Sequence, residues 1–132
     1  CSNISNLNLS NFNTENVTDM KYMFNVCSNL SNLDISKFNT ENVTDMKFMF
    51  NTCTNLVSLN LSNFNTSKVT NMQEMFSSCQ KLENLVIDFD ISNVDDFTHM
   101  FLYVPNTVGI VTNENMKKWL SENYPNFTNV LV

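Results

Sequence analysis

The chain repeats itself every 26 residues. Cys1, Cys27, Cys53 and Cys79 are spaced 26 apart each time. Aligned on them, residues 1–26 and 27–52 agree at 20 of 26 positions. A period this short means that one unit cannot bury its own apolar residues and must stack on its neighbours. The apolar residues recur in the same phase. Leu7, Leu33, Leu59 and Leu85 form one column, Leu9, Ile35, Leu61 and Ile87 another, and Phe24, Phe50, Phe76 and Phe101 a third. One residue is lost between Ile87 and Phe89, after which Phe89, Val94, Phe97, Met100 and Phe101 resume the columns.

Within each unit the spacing L-x-x-L-x-L, as in Leu30-x-x-Leu33-x-Ile35 and Leu56-x-x-Leu59-x-Leu61, is the leucine-rich-repeat signature. Residues such as Asn32-Leu33-Asp34-Ile35-Ser36 alternate with period two, which predicts a short strand. Val43, Met46, Met49 and Phe50 fall at i, i+3, i+6 and i+7, which predicts one face of a short helix, with Asn42 as its N-cap and Asp45 in its first turn. The expected fold is therefore α/β: a right-handed leucine-rich-repeat solenoid with short parallel strands about 4.8 Å apart and one short helix per coil. Four repeats are read over 1–26, 27–52, 53–78 and 79–104. From Pro105 the period is gone. Residues 105–132 read as a C-terminal strand-helix-strand cap: a strand over Val108–Val111, a helix capped by Asn113 with Met116, Trp119, Leu120 and Tyr124 on one face, and a strand within Phe127–Val132. No matching N-terminal cap is visible, so the natural protein is expected to continue upstream, or another surface to cover the first coil. An open first coil also invites end-to-end self-association.

The run Phe38-Asn39-Thr40-x-Asn42-Val43-Thr44-Asp45-Met46-x-x-Met49-Phe50, followed by x-x-Cys53-x-x-Leu56-x-x-Leu59, resembles the BspA-like leucine-rich-repeat family of bacterial surface proteins. The resemblance covers residues 1 to about 101. It implies a surface or secreted protein of a bacterium, acting in adhesion or protein binding. In repeat four Asp90-Ile91-Ser92 replaces the Asn-Thr-x of the others, so the binding residues need not be uniform along the array.

Composition narrows the chemistry. The net charge is −6, with seven Lys and no Arg. There is no basic stripe to neutralise phosphates, and hence no expected nucleic-acid partner. No apolar run reaches 18 residues, so no membrane insertion is expected. With a single Gly (Gly109), a Gly-rich phosphate loop is ruled out. The Cys spacing supplies no close metal-binding pair. Stacked cysteines could lie within disulfide range, but we read all four as buried free thiols beside the Leu columns. A lipid-modified Cys1 is the lesser alternative. His99 with Asp95 four residues earlier could orient an imidazole. Tyr22, Phe48 and Glu74 hold the same repeat position, however, so His99 is expected to be an outward surface group. The N-x-[ST] sequons are read as a by-product of an Asn/Ser/Thr-rich chain. No catalytic residue, cofactor or metal is expected.

Two surfaces remain. The strand face should present Asn6, Asn32, Ser58 and Asn84 beside Asn8, Asp34, Asn60 and Val86, a flat polar ladder of the kind solenoids use for binding. On a helical wheel Tyr22 and Phe48 lie roughly 140° from Val17, away from the core, and could form an aromatic hot spot. The candidate contact residues are therefore Asn6, Asn8, Asn32, Asp34, Ser58, Asn60, Asn84, Tyr22 and Phe48. The expected function is a non-enzymatic protein-binding module at a bacterial surface. The alternatives are a small cytoplasmic inhibitor of a host or phage-defence factor on the same scaffold, and a structural stalk.

Overall fold

The computed structural model describes residues 1–132. It is an α/β chain with one open, four-stranded parallel sheet and one helix. The strands are β1 (Ser58–Leu61), β2 (Asn84–Ile87), β3 (Gly109–Val111) and β4 (Val130–Leu131), paired in that order. β1 and β2 align Ser58 with Asn84 and Leu61 with Ile87, an offset of one repeat. Alternation buries Leu59 and Leu61 and leaves Ser58 and Asn60 outward. Ahead of β1 the strand expected over Asn32–Ser36 is reduced to a single bridge between Asn32 and Ser58.

The expected helix in each repeat is absent. In its place the chain folds into overlapping turns that hold adjacent repeats together. In repeat two the N–H groups of Met49, Asn51 and Cys53 donate to the carbonyls of Met46, Phe48 and Phe50, each three residues back, at 3.2 Å. The alternate N–H groups of Met46, Phe48, Phe50 and Thr52 donate instead to Asn71, Gln73, Met75 and Ser77 of the next repeat at 2.8–3.0 Å. An α-helix cannot share its donors this way, because every interior N–H is spent within the helix. The switch is made by left-handed residues: Phe48 and Thr52 have φ of 56° and 60°, and Tyr22, Val26, Glu74, Ser78, His99 and Tyr103 repeat the pattern. Asn42 is accordingly no N-cap. Its side-chain amide donates to the Glu15 carbonyl of the previous repeat at 3.0 Å.

A left-handed backbone costs an ordinary L-residue about 1–2 kcal/mol, and a β-branched one is a true outlier there. Thr52→Asn should therefore raise unfolding stability by about 0.5–1 kcal/mol, since Asn tolerates this region. A lowered urea midpoint for that variant would contradict the account.

The abundant Asn and Asp make three corners in each of the first three repeats and two in the fourth, where Val86 holds the first position. In each, a side-chain oxygen accepts the backbone N–H two residues on, which substitutes for a glycine turn. The first corner is Asn8–Ser10, Asp34–Ser36 and Asn60–Ser62. The second is Asn13–Glu15, Asn39–Glu41, Asn65–Ser67 and Asp90–Ser92. The third is Asp19–Lys21, Asp45–Lys47, Asn71–Gln73 and Asp96–Thr98. Between strand and turns lies a continuous apolar core that runs from Leu9 to Leu120. Phe24, Phe50, Phe76 and Phe101 stack through it, with centroids 5.2–5.7 Å apart.

The last segment holds the expected strand, helix and strand, with the first strand starting at Gly109 in place of Val108. Helix α1 (Glu114–Asn123) starts at Asn113, whose side chain accepts the Met116 N–H. Met116 and Leu120 enter the core. Trp119 packs on Phe97 with centroids 4.5 Å apart, and the Tyr124 and Phe127 rings meet Phe101 edge-on.

The cysteine column divides. Cys53 and Cys79 are buried free thiols, as expected, and each donates to a carbonyl 29 residues back, Phe24 and Phe50, at 3.2 Å. Burial pushes the Cys53 thiol up to about 11 and the Cys79 thiol higher still. Cys1 and Cys27, expected to be free, are instead joined as a disulfide. The repeat brings their Cα atoms to 4.7 Å, inside the range a disulfide spans.

Candidate functional site

The seven polar strand-face candidates converge on one surface. Asn6, Asn8, Asn32, Asp34, Ser58, Asn60 and Asn84 all line a single open trough of about 830 Å³. Its position follows from the alternation of the strand half: the odd side chains enter the core and the even ones stand outward. Part of the lining escapes a reading based on polarity alone. Leu7 and Leu33 are only half-buried and, with Leu59, form an apolar floor to the trough, while half-buried Val86 ends the Asn8–Asp34–Asn60 column. The leucine spacing announces these residues as core, and nothing in it distinguishes a core leucine from one shared with a groove.

The two polar columns differ in freedom. Asn8, Asp34 and Asn60 hold the first corner with one side-chain oxygen each, at 3.0 Å from the following Ser N–H. They are positioned groups with a second polar atom left to face a partner. Asn6, Asn32, Ser58 and Asn84 carry no such duty and stand exposed. Only Asn84 reaches along its column, to the Ser58 hydroxyl at 3.4 Å.

The Ser36 backbone N–H, with the Ser36 side chain, holds the Asp34 carboxyl below its usual range. Asp90 and Asp96 are lowered in the same way by Ser92 and Thr98. A depressed folded-state value means that the contribution is complete above the unfolded value of about 3.9 and is lost as pH falls. Stability should therefore hold from neutral pH down to about 5 and decline below about 4. Asp34→Asn should keep the corner, as Asn8 and Asn60 do, while removing that residue's share of the acid sensitivity. Thermal melts at pH 7 and pH 3 check both statements.

Tyr22 and Phe48 lie outside the trough, on the turn face. Their rings are stacked, centroids 5.0 Å apart and 6° from parallel, with the Lys47 ammonium 5.2 Å from the Phe48 centroid. Tyr22 is exposed and Phe48 half-buried. The spacing is that of adjacent repeats, so the stack is a direct product of the period. His99 holds the equivalent position in repeat four and is exposed. The structure gathers no group of three or more His, Cys, Asp or Glu placed to hold a metal ion. No helix is long and apolar enough to cross a membrane.

These features define a repeat protein with one polar, apolar-floored trough and a separate aromatic stack. The chain belongs to the family described as "Mycoplasma protein of unknown function, DUF285", whose model matches residues 1–119. No curated protein and no solved structure matches it.

Proposed function

We propose that this chain is a non-enzymatic protein-binding module of a bacterial cell surface, built as a right-handed leucine-rich-repeat solenoid of the BspA-like kind, with residues 105–132 as its C-terminal cap. The trough is its binding face. The observation that carries this reading is the convergence of seven exposed polar side chains over an apolar floor in one concavity. Polar groups at fixed spacing set the register of a partner, and the apolar strip between them gains from losing water. The aromatic stack of Tyr22 and Phe48 is a secondary contact.

The test compares the native chain with an Asn32→Arg/Ser58→Arg variant, which fills the trough without touching the three corners. Both are used as bait against surface extract and against cytoplasmic lysate. A surface protein retained by the native chain and reduced at least tenfold by the variant supports the proposal. Equal retention by both removes the trough from the account. A single stoichiometric cytoplasmic partner would replace the surface reading with that of an intracellular inhibitor, and no partner from either source would favour a stalk.

A further inference from the structure

The free polar atoms of the trough alternate in hydrogen-bond sense from coil to coil. Asn8 and Asn60 each spend their Oδ1 on the N–H of the serine two residues on, which leaves their Nδ2 donors free. Asn32 and Asn84 turn their Nδ2 toward the hydroxyls of Ser31 and Ser58 at 3.4 Å, which leaves their Oδ1 acceptors free. The two free donors are two coils apart, and so are the two free acceptors. Parallel strands lie about 4.7–4.9 Å apart, so each pair is separated by about 9.4–9.8 Å. Between the two donors stands Asp34, its Oδ1 on the Ser36 N–H. It is the one charged side chain of the lining.

A partner laid along the coil axis must keep step with these groups. An α-helix spends its backbone N–H and carbonyl groups internally and repeats about every 5.4 Å, so it gives the amides nothing to bond and drifts against the coils. A β-strand repeats every two residues, about 6.6–6.8 Å, which falls between one coil and two. A polyproline II segment has three residues per turn and a rise of about 3.1 Å, so its equivalent groups recur about every 9.3 Å, in step with every second coil. It makes no internal hydrogen bonds, so its carbonyls can accept from the free Nδ2 groups and its N–H groups can donate to the free Oδ1 groups. Half-buried Leu7 and Leu33 offer an aliphatic bed to its proline rings. Proline-rich segments are often held in aromatic-lined grooves. This trough has no aromatic ring in its lining and reads the backbone through its amides. Its charge suits a segment with one cation, opposite Asp34. On the reading that the trough is the binding face, we infer that it docks a proline-rich polyproline II segment of a partner protein, laid along the coil axis with a single basic residue opposite Asp34. The three coil spacings of the trough, about 14–15 Å, take about five residues of such a segment.

The probe is a capped peptide of three Pro-Pro-Gln units with Lys in place of the central Gln. It has no Gly and so stays single-stranded. A control peptide carries D-proline in the middle of each unit, which keeps the composition and breaks the left-handed helix. Both are titrated into the native chain while NMR follows the side-chain amide signals of Asn8, Asn32, Asn60 and Asn84. The all-L peptide should move these signals saturably and bind about tenfold more tightly than the control, because its backbone is already in the bound form. Asn32→Ala/Asn84→Ala removes both acceptors at exposed positions outside the corners and should weaken the all-L peptide by about tenfold. Asp34→Asn keeps its corner and should weaken the Lys peptide by about two- to fivefold, while leaving a peptide with Gln at that place unaffected. Equal binding of the all-L and D-proline peptides, binding that leaves the four amide signals unmoved, or no binding in the millimolar range overturns the inference. So does an Asp34→Asn variant indifferent to the lysine. A surface protein retained through the trough and not displaced by the all-L peptide also overturns it, and leaves the trough as a protein-binding face of another specificity.

Discussion

Replacing Phe50 with Ala is expected to lower the free energy of unfolding by about 3–5 kcal/mol, the range for deleting a fully buried aromatic side chain. Phe50 has no exposed surface and lies between Phe24 and Phe76, at 5.6 and 5.7 Å and within 10° of parallel to both. The loss removes the apolar burial of one ring and both of its stacking contacts. Little can collapse into the space, because the backbone on either side is fixed by the ladder of inter-repeat hydrogen bonds. Each repeat contacts chiefly its neighbours, so a defect in repeat two also weakens the hold on repeat one. The urea transition should shift strongly and broaden as the first repeats loosen. Phe12→Ala, at an exposed position, serves as the control and should cost less than about 1 kcal/mol. Equal effects of the two substitutions would show that the Phe column is not the core of the array.

The second large effect is polar. Thr40 is 1% exposed, and its hydroxyl serves the next repeat twice. It accepts the Asn65 N–H at 2.8 Å and donates to the Asn65 carbonyl at 3.0 Å. Thr14 does the same for Asn39, and Thr66 donates to the Asp90 carbonyl. Thr40→Val preserves the shape and leaves both Asn65 backbone groups unpaired beside a buried site. The expected cost is about 2–3 kcal/mol. Thr40→Ser keeps the hydroxyl and loses one methyl group, for about 1 kcal/mol. Denaturant melts of the two variants check the order. A valine variant as stable as the serine variant would mean that the Thr column fills space and nothing more.

Much of this architecture can be read from spacing, because a column every 26 residues leaves few ways to bury Leu, Phe and Met together. The trough is legible for the same reason: period-two alternation in the strand half puts Asn6, Asn32, Ser58 and Asn84 on one side. The turn half misleads. Val43, Met46, Met49 and Phe50 satisfy a helical stripe, yet overlapping four-residue turns bury the same positions. What separates the two is where alternate N–H groups go, and that is decided by the left-handed backbone at Phe48 and Thr52. Neither residue type favours that conformation, so the sequence carries no local sign of it. Asn and Asp are visible as turn formers, but only the structure sorts them into three kinds of corner. The bond between Cys1 and Cys27 was not legible, because the same 26-residue spacing also holds Cys53 and Cys79, which stay free. The two buried thiols, Cys53 and Cys79, follow the column as expected.

The account stands on the trough being the face that a partner meets. Photo-crosslinking is its most direct test. A photoreactive side chain is placed at Ser58, inside the trough, and in a second protein at exposed Thr70, outside its lining. Each protein is then irradiated with surface extract. The account predicts one crosslinked partner from the Ser58 protein and none from the Thr70 protein. A partner captured at Thr70 with none at Ser58 would contradict it.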